Sequence, residues 1–281
     1  MRKGIVFALV IIMGVVLVLL TWMYPTPNPW VAVAVALLVN FISTPVYAAG
    51  VDVLYNLRHV RLWFQTRVWH WNDDVRLSIS YLFRIRVKGK YLLVKNRKGN
   101  YYQLVGGAYK AFPTAQRVFD QYRVKPDNRF ETEHGIAKND LRFRVPGRYV
   151  LDMIAWFRSQ KDREISQWRE FCEELLTPNL LPKPPFRYID YKYVGTLQTP
   201  MQQAKKLPCQ EILIYEIFDL IPNDEQRIIL EQLVDQGDTV NLKWADENLI
   251  NRLGFDERTK EVVYEIGPHT KWALNLRWGN D

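Results

Sequence analysis

Two long apolar segments open the chain, at residues 5–23 and 30–47. The first contains no charged residue, and at about 1.5 Å per residue a helix of that length crosses a hydrocarbon core of about 30 Å. The second reaches a similar length when it is extended through Val51. Basic residues flank the pair, while the link between the segments carries neither lysine nor arginine. The positive-inside rule therefore predicts a transmembrane hairpin over residues 1–50, with both termini in the cytoplasm.

A secretory signal peptide is the alternative interpretation of the first segment, because Arg2 and Lys3 give it a basic start. The apolar run is longer than a usual signal core, no small-x-small cleavage pattern follows it, and the second apolar segment begins within seven residues. Cys172 and Cys209 are the only cysteines, which suits a reducing compartment better than a disulfide framework. These observations favour the hairpin.

The pattern changes twice after the hairpin. Residues 51–78 mix leucine and tryptophan with arginine and histidine, which predicts an amphipathic connector, helical over residues 52–77, at the level of the lipid headgroups. From Ser80 the apolar and basic residues alternate, which predicts a strand with one apolar and one basic face. Two further strands, at residues 91–94 and 101–105, complete a predicted meander that ends in a double glycine.

The remaining elements are predicted from shorter patterns, and residues 150–158 fit either a strand or a helix. A helix is predicted over residues 164–176, where apolar residues recur every three or four positions and Thr177-Pro178 follows. The other predicted helices are residues 115–122, 224–234 and 245–253, and the other predicted strands are residues 141–145, 188–197, 211–220 and 239–244.

Positive charge is concentrated next to the predicted membrane segment. Residues 51–125 hold fifteen lysines and arginines against four acidic residues, within a chain of net charge +8. A basic region in this position can bind anionic lipid, and it can equally bind a ligand that carries phosphate. The alternative is a solvated positive surface that also sets the membrane topology.

The sharpest candidate chemistry is a group of three carboxylates on the helix predicted over residues 164–176. Glu170, Glu173 and Glu174 are spaced so that all three project from one helix face. Clustered anions repel one another unless a cation lies among them, and magnesium bridging a bound diphosphate would supply it. The alternative is a solvated acidic face that Arg163 and Arg169 neutralise.

These features together resemble the Nudix family. The run of residues 81–110, ending in Gly106-Gly107, is similar to the start of that fold, residues 169–174 match the REUxEE core of the Nudix box, and residues 243–247 are similar to a late strand-to-helix segment. The resemblance implies an α+β protein with a Nudix-like, mixed-sheet α/β/α sandwich over residues 79–281. It also makes Glu170, Glu173 and Glu174 the metal ligands, with Arg169 as their orienting partner.

The box departs from the family pattern at several positions. Sixty-one residues separate Gly107 from Arg169, which implies a large insertion, and Lys161 and Leu176 replace a glutamate and a glycine of the pattern. A degenerate box predicts binding without hydrolysis, so no catalytic residue is expected. If the domain does hydrolyse its ligand, the three glutamates would be the catalytic residues and magnesium the cofactor.

Membrane helices ahead of a divergent Nudix domain resemble the transmembrane Nudix effectors of bacterial cyclic-oligonucleotide anti-phage signalling (CBASS), with their SMODS-associated Nudix-like domain. The resemblance implies a multi-pass protein of the bacterial inner membrane whose domain senses a cyclic oligonucleotide, after which the hairpins assemble and disrupt the membrane. It implies a homo-oligomer with cyclic oligonucleotide and membrane lipid as partners, and no polymeric nucleic acid. The predicted ligand-binding residues are Arg84, Arg86, Lys95, Arg97, Tyr102, Gly106, Gly107 and Lys110.

Two functions from other classes stay open at this point. One is a membrane-tethered, magnesium-dependent hydrolase of a nucleoside diphosphate derivative. The other is a structural anchor that recruits partners through its basic surface. Asn40 lies where polarity is expensive in a membrane helix, so it is a candidate for helix contacts or for a pore lining. His134 and His269 lack metal partners at ligand spacing and are interpreted as structural or ligand hydrogen-bonding groups.

Overall fold

The computed structural model describes residues 57–97, 99–127, 139–205 and 207–278. The predicted transmembrane hairpin over residues 1–50 lies outside these ranges, and so does His134. Among the residues that are described, no helix combines the length and the apolar character needed to cross a bilayer.

The chain divides into two units, Met1–Phe64 and Gln65–Asp281. The described part of the first unit is helix α1, Leu57–Phe64, in which Trp63 and Phe64 are both about half exposed. The second unit opens with a π-helical segment, Gln65–Trp69.

The first strand of the second unit, β1, begins at Asp74, so the predicted helix through residue 77 is wrong at its C-terminal end. Val75 pairs with Gln210 on one side and with Val145 on the other. Pairing on both sides requires an extended backbone, which overrides the amphipathic pattern of the local sequence.

Thirteen strands and six α-helices are described in the second unit. The strands are β1 Asp74–Arg84, β2 Arg86–Val87, β3 Lys90–Lys95, β4 Tyr102–Gln103, β5 Val105–Ala108, β6 Lys125–Pro126, β7 Arg142–Pro146, β8 Asp190–Gln198, β9 Gln202–Gln203, β10 Gln210–Ile221, β11 Leu242–Asp246, β12 Phe255–Asp256 and β13 Glu261–Val262. The helices are α2 Gln116–Gln121, α3 Val150–Arg158, α4 Trp168–Phe171, α5 Asp224–Gln236, α6 Glu247–Asn251 and α7 Pro268–Asn275.

The main sheet contains seven strands in the order β6-β7-β1-β10-β8, with β5 also paired to β1 and β9 to β10. β1 and β10 are parallel, and the other pairs of this sheet are antiparallel. A second sheet has the order β11-β3-β2, with β4 on β3. The predicted meander is therefore only partly formed, because β5 leaves β4 and pairs with β1 instead.

The helix predicted over residues 164–176 begins later, at Trp168. Helix α4 is one turn long and continues as a π-helix, Cys172–Leu176. The preceding residues are extended because Arg163 forms a β-bridge with Ala111. Residues 150–158, for which the sequence left two choices, form helix α3.

The two faces of the main sheet are covered differently. The helical face, defined by Tyr81, Tyr109 and Glu216, packs against helices, with ring contacts of 5.3 Å between Tyr109 and Phe157 and of 5.8 Å between Phe83 and Phe171. The opposite face, defined by Ser80, Leu82 and Tyr215, packs partly against the second sheet and against helices α6 and α7. Its core comprises Leu82, Tyr91, Leu93, Leu104, Ile217, Ala245, Ile250, Ile266 and Ala273. The α+β class is as predicted, and the layer opposite the helices contains a sheet as well as helices.

Candidate functional site

The double glycine of β5 lies directly against the predicted carboxylate cluster. The backbone N–H of Gly106 donates a 2.8 Å hydrogen bond to Oε2 of Glu174. A Cβ atom on Gly107 would lie 2.3 Å from the carboxyl carbon of Glu170. The sequence predicts that these glycines let a ligand approach the backbone closely, and in the structure the chain's own glutamates lie against them.

Gly106 has a backbone conformation that other residues rarely adopt. Its φ is +146°, and a Cβ atom there would lie 2.1 Å from the carbonyl oxygen of Tyr81 on the neighbouring strand. A glycine is therefore required for β5 to lie flat against β1 while its N–H points to Glu174.

Arg169 lies at the centre of the carboxylates. Its guanidinium contacts Glu170 at 2.6 Å and Glu173 at 3.4 Å, and it donates a 2.7 Å hydrogen bond to the carbonyl oxygen of Ala108. A planar guanidinium is suited to several carboxylates at once. The predicted role of Arg169 as the partner of these glutamates agrees with this geometry.

Glu164 completes the cluster, and the sequence did not indicate it. Its two carboxylate oxygens accept hydrogen bonds from Nε and Nη2 of Arg169 at 3.0 and 3.1 Å. The backbone N–H of Lys110 also donates to Glu164, at 3.2 Å. Because Glu164 precedes the helix, no helical spacing connects it with Arg169, and only the fold brings the two together.

Burial shifts the protonation equilibria of two of the glutamates. Burial raises the pKa of Glu174 to about 8; the hydrogen bond from Gly106 acts to lower it, and the nearby charge of Glu170 raises it. The pKa of Glu170 is also raised by burial, although Arg169 opposes the shift. Ionising a glutamate of this cluster therefore costs free energy unless a nearby cation offsets the negative charge.

Glu173 also contacts a second arginine, Arg97. Nη2 of Arg97 donates a 2.8 Å hydrogen bond to the backbone oxygen of Glu173, and Nη1 of Arg97 lies 3.9 Å from its carboxylate. The described residues contain no group of three His, Cys, Asp or Glu side chains that could hold a metal ion. Glu170 and Glu173 are both engaged by arginine, and a magnesium site formed by Glu170, Glu173 and Glu174 stays a prediction.

Lys110 lies in a second charged group, at the junction between β5 and β7. Its Nζ is 4.0 Å from Asp140, and Arg142 contacts the other oxygen of Asp140 at 3.2 Å. Burial raises the pKa of Asp140 to about 6, while Arg142 and Lys110 act to lower it. The long insertion between Gly107 and Arg169 supplies Asp140, Arg142 and Glu164, so it builds part of the site.

The other predicted ligand-binding residues lie elsewhere in the fold. Arg84 forms two hydrogen bonds to Asp219, at 2.6 and 2.8 Å. Arg86 is exposed and stacks over Tyr91 with 5.6 Å to the ring centroid, and Lys95 is exposed at the end of β3. The half-buried Tyr102 donates a 2.7 Å hydrogen bond to the carbonyl oxygen of Val240. The fold therefore brings Arg97, Gly106 and Gly107 to the glutamates. Arg84 and Arg86 have other partners, and Lys95 and Tyr102 lie opposite each other on β3 and β4.

An aromatic group on the face opposite the helices was not predicted. The rings of Tyr215 and His269 are nearly parallel, at 11° and 6.0 Å, and Tyr101 meets His269 edge-on at 6.2 Å. All three side chains are half-buried. The signal that could have indicated them is weak, because Tyr101, Tyr215 and His269 come from three distant parts of the sequence.

A family model described as "SMODS-associated NUDIX domain" matches residues 74–274. Among solved structures, the crystal structure of a bifunctional NMN adenylyltransferase/ADP ribose pyrophosphatase from Francisella tularensis shares 12% identity, with a TM-score of 0.25. That match covers 86% of this chain and 51% of the other, so the chain spans about half the length of that protein. No curated protein matches the chain.

Proposed function

The chain belongs to the SMODS-associated NUDIX domain family, and we propose that it is a membrane effector whose Nudix-like domain senses a cyclic oligonucleotide. In this proposal the domain binds its ligand without hydrolysing it. Binding drives the N-terminal hairpins to assemble in the bacterial inner membrane, and the assembly disrupts that membrane.

The observation that carries the sensing role is the set of cations beside the carboxylate cluster. Arg169 itself serves either function, because a guanidinium held by Glu164, Glu170 and Glu173 can orient those carboxylates with or without a metal ion. This arrangement supports a preformed, rigid site in which the carboxylates order the chain around Gly106 and Gly107.

Two groups of cations that could meet the phosphates of a nucleotide lie beside this rigid centre, one on each face of the main sheet. Arg97 is exposed beside Glu173, and Lys110 and Arg142 are grouped at Asp140. Charge-assisted hydrogen bonds to phosphate are stronger than neutral ones, and arginine can make them in pairs. A ligand with two or more phosphates, as every cyclic oligonucleotide has, could contact both groups.

The membrane role rests on the sequence. The two apolar segments lie only a few residues before the described part of the chain, and they carry no large soluble domain between them. A hairpin of two helices can disrupt a bilayer most simply when several copies associate. The proposal therefore couples ligand binding to assembly of the hairpins.

Thermal unfolding of the full-length protein in detergent tests the proposal. A panel of cyclic di- and trinucleotides should include at least one that raises the melting temperature, because a ligand that binds the folded state stabilises it. The shift should be the same with magnesium and with a chelator, and the nucleotide should be recovered intact. Magnesium-dependent cleavage that is lost in Glu174→Gln would overturn the sensor in favour of the hydrolase, and a panel with no shift would overturn the sensor.

A further inference from the structure

The aromatic group lies on the opposite side of the main sheet from Arg169. Tyr81 points to the helices, since its hydroxyl accepts a 3.2 Å hydrogen bond from the backbone N–H of Glu170. Adjacent residues of a strand point to opposite faces, so Ser80 points the other way. Ser80 is in register with Tyr215 on one side and with Ala108 on the other. Tyr215 therefore shares a face with Ser80 and Ala108.

The same face carries the cations at the junction between β5 and β7. Arg142 is in register with Ser78, which points to the same side as Ser80. Arg142 also lies close enough to Tyr215 to act on the pKa of its hydroxyl, which burial raises to about 12. A row of groups thus runs across three neighbouring strands, from cations at one end to aromatic rings at the other. Two strand spacings, about 10 Å, separate β5 from β10, a distance that one nucleotide can span.

The second end of this row is built by the chain after β13. Tyr102 pairs with the segment before α7, where the backbone N–H of Tyr102 donates to Glu265 at 2.8 Å and the N–H of Gly267 donates to Tyr102 at 2.9 Å. This pairing places His269 beside Tyr101 and over Tyr215. The three rings form the aromatic triad, defined here as Tyr101, Tyr215 and His269.

Gly267 is the residue that lets the rings of the triad come together. A Cβ atom at this position would lie 2.6 Å from Cε1 of His269 and 3.0 Å from Cε2 of Tyr101. The backbone of Gly267 has φ −63° and ψ 133°, which any residue can adopt. The absence of a side chain there therefore serves the packing of the rings and not the conformation of the backbone.

The imidazole of His269 is neutral near pH 7, because burial lowers its pKa to about 4. A neutral ring stacks on another aromatic ring without the cost of burying a charge. The triad consequently offers uncharged, partly exposed rings within one nucleotide's length of Lys110 and Arg142. Those two properties are the ones that stacking of a base and contact with its phosphate require.

We propose that the aromatic triad is a nucleobase subsite, in which one base of the oligonucleotide extends the stack of Tyr215 and His269 while its phosphate meets Arg142 and Lys110. This inference deepens the proposed function and rests on it. The carboxylate cluster on the other face is then a structural centre, and base recognition takes place on the face that the second sheet leaves partly open.

Saturation-transfer difference NMR on the full-length protein in detergent tests the subsite with two probes, adenosine 5′-monophosphate and ribose 5-phosphate. With the first probe, the strongest saturation should fall on the base protons H2 and H8. Ribose 5-phosphate should compete about ten-fold more weakly, since a stacked base contributes about that much affinity. Saturation that is centred on the ribose, or equal competition by both probes, would overturn the proposal.

Three variants separate stacking from folding. Tyr215→Ala and Gly267→Ala should each weaken binding of the monophosphate about ten-fold, the first by removing a ring and the second by displacing two. Tyr215→Phe should keep the affinity within about two-fold, because it keeps the ring. Tyr188→Ala removes a tyrosine that is 78% exposed and lies outside the triad, and it should change nothing. Equal loss in Tyr215→Phe and Tyr215→Ala would overturn stacking as the mechanism.

The two proposals fail in different ways. If cyclic nucleotides raise the melting temperature of the wild type and of Tyr215→Ala equally, the subsite is wrong and the sensor stands. If no cyclic nucleotide raises the melting temperature, the proposed function fails, whatever the monophosphate does.

Discussion

Arg169 and Glu164 are joined by two nearly parallel hydrogen bonds, at 3.0 and 3.1 Å, although Glu164 precedes the helix that carries Arg169. The guanidinium of Arg169 is therefore held by a residue that lies outside helix α4. Only about a fifth of the side chain of Arg169 and an eighth of that of Glu164 are exposed, so water competes weakly for the pair. This pair fixes the short helix α4 against β5 and sets the positions of the other carboxylates.

Glu164→Gln is predicted to destabilise the second unit by about 2–3 kcal/mol. The partly buried Arg169 would lose the carboxylate that accepts two of its charge-assisted hydrogen bonds. Urea unfolding of the variant and the wild type measures the difference. The exposed pair of Lys88 and Asp235, at 2.7 Å, provides the control. Asp235→Asn should cost less than about 1 kcal/mol, because water screens both partners. Equal losses in the two variants would show that Glu164 has no special role.

The two glycines of β5 are predicted to respond differently to alanine. Gly106→Ala should cost about 3 kcal/mol or more, because φ is +146° and the new Cβ would meet a backbone oxygen that cannot move away. Gly107→Ala should cost only about 1–2 kcal/mol, because the atoms it meets are at the flexible end of Glu170. Melting temperatures of both variants decide the matter, and an equal loss would contradict this account.

The sequence predicted the elements that have strong local patterns. The alternation around Tyr81 indicated a strand, and residues 224–234 indicated a helix that the structure extends to Gln236. The sequence could not predict that β1 is a central strand, because a charged residue such as Arg76 normally indicates a position in contact with water. In the fold Arg76 is 2% exposed and pairs at 2.9 Å with Glu211, which lies 135 residues away.

The candidate site was predictable only in part, for the same reason. Arg169 and the glutamates after it lie within one short motif, so their spacing could be interpreted directly. Glu164, Arg142 and Tyr215 reach the site through strand pairing and an extended segment, and no local periodicity reports such contacts. Basic residues on one strand were predicted to act together, but Arg84 is instead held by Asp219 across the parallel pair of β1 and β10.

Arg84 is predicted to contribute to stability through this pairing. The double-mutant cycle of Arg84→Gln and Asp219→Asn should give a coupling energy of about 1 kcal/mol, since Asp219 is partly exposed. Arg86→Gln, on the next strand along the chain, should leave stability unchanged within about 0.5 kcal/mol, because Arg86 is exposed. A coupling energy near zero would show that the pair does not stabilise the fold, and Arg84 would then be available for the predicted ligand-binding role.

His269 is predicted to make the protein less stable in mild acid. Its pKa is about 4 in the folded protein, against the ordinary value of about 6.5 when the chain is unfolded. Between these values the unfolded state binds more protons, so the contribution of His269 to stability is complete above about pH 6.5 and is lost as the pH falls toward 4. Unfolding at pH 7.5 and at pH 5.0 should show a larger loss for the wild type than for His269→Gln. Parallel losses would mean that the ring is open to water.

The last prediction concerns the apolar segments, whose role in the proposed function is to act in the membrane. Deleting residues 1–50 should abolish toxicity in cells that supply the ligand, while the affinity for the ligand stays the same. The reason is that the proposal assigns ligand binding to the Nudix-like domain and assigns membrane damage to the hairpin. The full-length protein and the shortened form are each induced in cells, and growth and membrane potential are measured. Ligand binding is measured on protein purified from the same cells.

A single residue in the second segment allows a sharper form of the same test. A charged side chain at Asn40 costs about 2.5–3.5 kcal/mol at the centre of a membrane helix and would disturb close contacts between helices. Asn40→Asp should therefore block permeabilisation and the ligand-driven formation of higher oligomers in nanodiscs. Binding of the cyclic oligonucleotide by the same variant should be unchanged, which separates assembly from sensing. If the form that lacks residues 1–50 stays toxic when its ligand is present, the membrane mechanism is wrong and the Nudix-like domain must itself cause the damage.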